Sequence, residues 1–163
     1  MVKHNKIVIP YTPRPLQQVF HEKAKRFSVA VCHRRFGKTV MAINWLLREI
    51  LTSPHPRCDF LDGQRIWLLG SENPDALRGM RLDAACLDEY ADMNSRLFPE
   101  IVRPALSDFG TGKCLWIGTP RGENQFKEIY DTAKREMEDG NDEWFAMLFP
   151  APRTDVLAKK ELD

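Results

Sequence analysis

Short apolar runs alternate with amphipathic stretches along most of the chain. Val29-Ala30-Val31, Ala84-Ala85-Cys86-Leu87, Lys113 to Ile117 and Trp144 to Phe149 read as strands, because short apolar runs without helical spacing suit a sheet covered on both faces. Between them, apolar residues recur every three or four positions, as on one face of a helix. Leu16, Val19, Phe20 and Ala24 share such a face after the prolines at 13 and 15, which are tolerated at a helix start. Val40, Ile43, Leu47, Ile50 and Leu51 form the expected buried stripe of a second helix, which should end near Leu51 because Thr52-Ser53-Pro54-His55-Pro56 cannot continue it. Leu97, Phe98, Ile101, Val102 and Leu106 predict a helix over 93–107, bent or ended at Pro104, and Phe126, Ile129, Tyr130, Ala133 and Met137 predict another.

Turn signals fill the gaps. Asp62-Gly63 predicts a hairpin joining Cys58 to Leu61 with Arg65 to Leu69. Asn73-Pro74 opens a short helix that Gly79 closes, with Arg78 at its end, and Gly110-Thr111-Gly112 leads into the third strand. Residues 1–12 read as an extended lead-in and 151–163 as a polar tail open to starting another helix. Alternating strands and helices indicate a single α/β domain over 1–163.

Composition narrows the field only modestly. With 163 residues, 29% charged and 43% hydrophobic, the chain has an ordinary globular balance and enough length to bury a core. A net charge of +1 gives no overall field toward nucleic acid, so such contact would need local patches. Lys23, Lys25 and Arg26 beside His33, Arg34 and Arg35 are one candidate, although a solvated basic face accounts for the first three. No apolar run approaches the roughly eighteen residues of a membrane span. The expectation is therefore an intracellular protein without a membrane partner. Cys32, Cys58, Cys86 and Cys114 are far apart, and buried thiols in a reducing compartment explain them better than zinc or disulfides.

Candidate chemistry begins at Phe27 to Val40, FSVAVCHRRFGKTV. A strand, a short basic loop, Gly37-Lys38-Thr39 and a helix follow one another as in a phosphate-binding loop, where the helix N-terminus offers free N–H groups and a positive dipole end to phosphate. The loop would run through Cys32, His33, Arg34, Arg35, Phe36, Gly37, Lys38 and Thr39. Lys38 would reach the β- and γ-phosphates and the Thr39 hydroxyl would bind Mg²⁺. Cys32 stands where G-x-x-x-x-G-K-[ST] has its first glycine. Upstream, Gln17 could present a donor and an acceptor to an adenine edge, but by itself reads as a solvent-facing helix residue. Asp88 and Glu89 follow the second strand at its C-terminal end, which in an open parallel sheet faces the ligand crevice. Adjacent acids there suit a cation site: Asp88 would hold Mg²⁺ directly or through water, and Glu89 would polarise the attacking water. The alternative is an acidic surface turn. Thr119, set between glycines after the third strand, suits a γ-phosphate sensor. Lys38 and the Asp88-Glu89 pair are expected to come from neighbouring strands and to meet over one polyphosphate.

Taken in order, PRPLQ, CHRRFGKT, RGMRLDAACLDEYADM and LWIGTPRGENQF resemble the ATPase domain of the large terminase subunit, the motor that packages DNA into tailed-phage heads. The resemblance covers nearly the whole chain. It implies a P-loop NTPase fold of RecA/ASCE type, a three-layer α/β sandwich on a mostly parallel sheet, shortened by one strand and helix because only Ser53 to Arg57 spans the usual gap. It implies ATP and Mg²⁺ as cofactors, Gln17 on adenine, Gly37, Lys38 and Thr39 on phosphate, and Arg34 as a loop arginine responding to the γ-phosphate. Asp88 becomes the Walker B magnesium residue, Glu89 the catalytic carboxylate, and Gly118, Thr119 and Pro120 the segment coupling hydrolysis to motion. Arg78 resembles the arginine inserted into a neighbouring subunit's site, with Arg81 and Arg121 as rivals. The implied partners are double-stranded DNA, further copies in a ring, the small terminase subunit and the capsid portal, in the cytoplasm of a bacterial host. The chain stops before the family's nuclease acids, so no nuclease activity is expected. A helicase-like DNA translocase fragment or a catalytically weak nucleotide-binding remnant of a prophage gene are the alternatives.

Overall fold

The computed structural model describes residues 8–52, 66–107 and 110–153. Among them, four strands form one all-parallel sheet: β1 Phe27–Cys32, β2 Ala84–Asp88, β3 Lys113–Gly118 and β4 Trp144–Phe149, in the order β2-β3-β1-β4. The register pairs Val29 with Trp116 and with Ala146, and Leu87 with Trp116. Helices α1 Pro15–Lys23, α2 Lys38–Thr52, α3 Arg103–Ser107 and α4 Gln125–Glu138 accompany the strands.

Strand alternation divides the core in two. Val29 and Val31 join Trp116, Leu106, Phe126 and Ala133 on the face covered by α3 and α4, whereas Ala30 and Cys32 join Phe20, Met41, Trp45 and Phe149 on the face covered by α1 and α2. Trp45 and Trp116 are both fully buried, one in each layer. Truncating either to Ala would cost about 3–5 kcal/mol.

The connections decide where a ligand could sit. From β1 the chain crosses β3 through α2 to reach β2, and from β3 it crosses β1 through α4 to reach β4. The two crossovers run in opposite directions on opposite faces, which keeps one hand for both. The adjacent strands β1 and β3 therefore send their chains to different sides, and a crevice opens between them at the C-terminal edge. Lys38 and the Asp88-Glu89 pair do not come from neighbouring strands as expected. β3 lies between β1 and β2, and it brings Thr119 into the gap.

Other expectations need correction. In α2 the buried face is Met41, Ala42 and Trp45, while Val40, Ile43 and Leu51 are 53%, 43% and 53% exposed. Two stripes of helical spacing overlap here, and the one carrying the largest side chain faces the sheet. The expected strand over 66–69 is an exposed stretch without regular structure, and the rest of that hairpin lies outside the described residues. The short helix is a 3₁₀ turn, Pro74–Leu77, with no side-chain cap from Asn73. Instead of one helix over 93–107, a π-helical turn at Phe98–Val102 passes directly into α3, which contains Pro104 without ending there. The basic patch is split by the length of β1: Arg26 pairs with Glu143 at the strand's start, whereas His33, Arg34 and Arg35 follow its end. Cys32, Cys86 and Cys114 are free thiols within three adjacent strands, and burial raises the pKa of all three. No helix among the described residues is long and apolar enough to cross a membrane.

Candidate functional site

The loop after β1 is anchored at its two ends. Cys32 is fully buried beneath it, and Phe36 is buried with its ring 4.5 Å from that of Phe149. Between them, His33 meets Phe36 edge-on at 5.7 Å, and Arg34 and Arg35 point to the exposed side of the turn. Arg35 has φ 63° and Gly37 φ 88°, so the chain turns back through left-handed conformations before entering α2. A Cβ at Gly37 would also lie 3.3 Å from the Gln17 amide, which leaves glycine as the residue that fits.

Helix α1 grips this loop from behind. The Phe36 carbonyl accepts hydrogen bonds from Arg14 Nη1 at 2.8 Å and from Gln17 Nε2 at 3.2 Å. Gln17 Oε1 in turn accepts from the Arg14 backbone N–H, closing the helix N-terminus. Gln17 is 4% exposed, not the solvent-facing residue expected from its helix alone, and its amide is engaged with the loop backbone. Across a trans peptide, C=O and N–H point opposite ways. A Phe36 carbonyl drawn toward α1 therefore turns the Gly37 N–H away from it.

Three strand ends meet in the crevice. Lys38, the first residue of α2, places Nζ 3.0 Å from Thr119 Oγ1 and 3.0 Å from Glu89 Oε1. The Thr119 backbone N–H donates to Glu89 Oε2 at 3.2 Å. Beside this triangle, the Thr39 hydroxyl approaches Asp88 Oδ2 at 3.5 Å, and Asp88 Oδ1 accepts the Glu89 N–H at 3.0 Å. Burial, helped by the charge of Glu89, raises the Asp88 pKa above its ordinary value. A cation at Asp88 would relieve that cost. No cluster of three or more metal-ligating side chains occurs among the described residues. Asp88 and Thr39 fit Mg²⁺ nonetheless, since this ion keeps several waters and takes one or two protein oxygens together with substrate phosphates.

Glu89 carries backbone strain. Its φ of 53° and ψ of 45° are left-handed, unusual for a residue with a long side chain, and a non-glycine residue held there costs about 1–3 kcal/mol. Such strain persists only where the surroundings enforce it. Tyr90, next in sequence, is buried against Trp116 and Phe126, and burial pushes its pKa up to about 12. Gly118 makes room: a Cβ there would lie 3.5 Å from Glu89 Cα and 3.3 Å from the Phe126 ring.

The structure thus brings together Lys38, Thr39, Asp88, Glu89 and Thr119, with Gln17, Phe36 and Gly37 directly behind. Arg34 stands exposed on the loop. Arg78 is not joined to this group: it pairs with Asp75 at 2.7 Å and Glu100 at 3.4 Å, beside a cavity of about 420 Å³ that Arg81 also lines. Of its rivals, Arg121 pairs with Asp92 at 2.8 Å, three residues past Glu89. Arg14 and Gln125 escape sequence reasoning, since nothing in their local spacing marks a contact with a distant loop. No family profile, curated protein or solved structure matches the chain.

Proposed function

We propose that this chain binds Mg·ATP and hydrolyses its terminal phosphoanhydride as the motor ATPase of a viral DNA-packaging terminase, built on a P-loop NTPase fold. The observation that carries this reading is the convergence of Lys38, Asp88, Glu89 and Thr119 from three strand ends at the edge where β1 and β3 part. A lysine at a helix N-terminus bonded to one acid and a hydroxyl, with a second acid beside the next residue of the helix, suits phosphoryl transfer better than an acidic surface turn.

In this reading Lys38 and the α2 N-terminus bind phosphate oxygens, Thr39 and Asp88 hold Mg²⁺, and Gln17 with Arg14 keeps the loop in shape. Mg²⁺ supplies positive charge against the phosphates. Glu89 orients a water and takes its proton, and Thr119 holds the Glu89 carboxylate through its N–H while its hydroxyl contacts Lys38. Arg34 answers to the γ-phosphate from the exposed side of the loop. By the resemblance, the motor acts on double-stranded DNA as a ring of copies with a small subunit and a portal, inside a bacterial host, with Arg78, Arg81 or Arg121 reaching a neighbouring site.

ATP titration with and without Mg²⁺, followed by phosphate release, tests the proposal on the parent, Lys38→Ala and Glu89→Gln. Lys38→Ala should lose binding, and Glu89→Gln should bind without turnover. ATP binding by Lys38→Ala equal to the parent's would reject it.

A further inference from the structure

We infer that Gln125, the first residue of α4, is a positioning residue that holds the Glu89 turn in its left-handed form. Its catalytic consequence rests on the hydrolase reading above, whereas the structural role does not.

The turn after Glu89 is a single 3₁₀ turn, Tyr90–Asp92, closed by Asp92 N–H to Glu89 O at 2.9 Å and Met93 N–H to Tyr90 O at 3.2 Å. A helix this short leaves its final carbonyls needing outside donors. Gln125 Nε2 donates to the Met93 carbonyl just past the turn at 2.5 Å and gives the Tyr90 carbonyl, already bonded by the Met93 N–H, a second donor at 2.8 Å. The amide orientation is forced, because the flipped form would set Oε1 against both carbonyl oxygens. In the observed form Oε1 is buried without a partner, a cost accepted in exchange for the two donated bonds.

Gln125 does not act alone. The segment from the end of β3 to the start of α4 touches the Glu89 turn at four places: Gly118 by its missing side chain, Thr119 by its N–H on the carboxylate, Arg121 on Asp92, and Gln125 on Tyr90 and Met93. The strained residue and its carboxylate are thus held by the same stretch of chain. Gln125 is the contact that hydrogen-bonds the turn's backbone carbonyls, so a displacement of the α4 start would pull on the residues that follow Glu89.

The test compares the full-length parent with Gln125→Leu and Gln125→Glu. Leucine removes the donors but also the unpaired buried oxygen, so the fold should survive. Glutamate keeps the shape but sets a carboxylate against two carbonyls. Hydrogen exchange without nucleotide should accelerate about tenfold or more at the Asp92 and Met93 amides in both variants, with the β1 amides unchanged. Parent-like exchange at 92 and 93, or equal acceleration in β1, overturns the role of Gln125 whatever the chain does with ATP. In turnover, kcat should fall by about tenfold or more with KM for ATP within about twofold, the pattern of an interaction that matters only in the transition state. Faster exchange with unchanged kcat in a hydrolysing parent overturns the catalytic consequence. A parent that neither binds nor hydrolyses ATP rejects the hydrolase reading and leaves the exchange result to decide Gln125.

Discussion

Lys38 Nζ stands 3.0 Å from Glu89 Oε1, so the residue expected to receive phosphate and the residue expected to activate water are each other's partner. The lysine side chain is 13% exposed and the glutamate 40%, which makes the pair half-buried and open to competition. A phosphate oxygen arriving at Lys38 has to displace a carboxylate. A pair of this exposure contributes up to roughly 1 kcal/mol. Glu89→Gln keeps the size of the side chain and removes its charge, so affinity for Mg·ATP should rise by up to roughly fivefold. Phosphate release should fall by at least roughly 100-fold in the same variant, because the proposed function makes Glu89 the general base. Isothermal titration alongside single-turnover assays reads both. Weaker binding by Glu89→Gln would mean that the carboxylate assists the nucleotide directly.

Asp88 contributes to the pH response of the unliganded fold. Burial and then the charge of Glu89 raise its pKa above the ordinary 3.8. A carboxyl whose pKa is higher folded than unfolded holds its proton more tightly in the native state. Stability then falls as pH rises from about the ordinary value through the raised one, and is level above it. Asp88→Asn should remove that fall, giving a higher unfolding temperature than the parent at pH 7 but not at pH 3. The amide oxygen can still accept the Glu89 N–H. The same variant should lose the Mg²⁺ dependence of ATP binding. Thermal melts from pH 3 to 7, with and without Mg²⁺, check the two together. A parent whose Asp88-dependent stability grows with pH would overturn the assignment of the sign.

Arg14 holds the loop after β1 without belonging to it. Its guanidinium donates to Phe36 O at 2.8 Å, and Gln17 reaches the same oxygen at 3.2 Å. Charged donors make the stronger of such bonds, roughly 1.5–3 kcal/mol where well shielded, and an exposed arginine retains only part of that. Arg14→Met should therefore weaken binding of ATP and ADP alike by about threefold to tenfold, since it loosens the cradle and not the γ-phosphate contacts. Titration with both nucleotides distinguishes this from a γ-specific effect. Loss for ATP alone would assign Arg14 to the terminal phosphate instead.

Much of this architecture was legible because two periods suffice to read it. The four apolar runs are the four strands, with β4 at Trp144–Phe149 as expected, and the stripe of α4 from Phe126 to Met137 lies on its core face. The Lys38, Asp88, Glu89 and Thr119 cluster was legible from position alone, because residues at the C-terminal ends of parallel strands must share one edge. Three things were not. Strand order depends on crossovers, and no local spacing tells that β3 enters between β1 and β2. The buried face of α2 was ambiguous because two stripes overlap, and Trp45 decided between them through contacts in three dimensions. The contacts of Arg14 with Phe36 and of Gln125 with Tyr90 and Met93 join residues 22 to 35 positions apart, through side chains that would serve as well in solvent.

Gly112 tests the packing that delivers β3 to the site. A Cβ there would lie 2.3 Å from the Leu106 carbonyl oxygen and 2.8 Å from Leu106 Cβ, and the first of these is backbone that cannot swing aside. Leu106 is itself buried, and the Gly112 carbonyl accepts from Arg26 Nε at 3.2 Å, so neither side of the contact is free to retreat. Gly112→Ala should destabilise the fold by about 1–3 kcal/mol, the range for overfilling a well-packed site. Gly110→Ala provides the control, since among the described residues no atom beyond its chain neighbours lies within 4 Å of a Cβ there, and its φ of 66° opposes the change. Chemical denaturation should rank the two in that order, with both variants binding nucleotide like the parent where folded. Equal midpoints for Gly112→Ala and the parent would show that α3 and the entry to β3 can separate without cost.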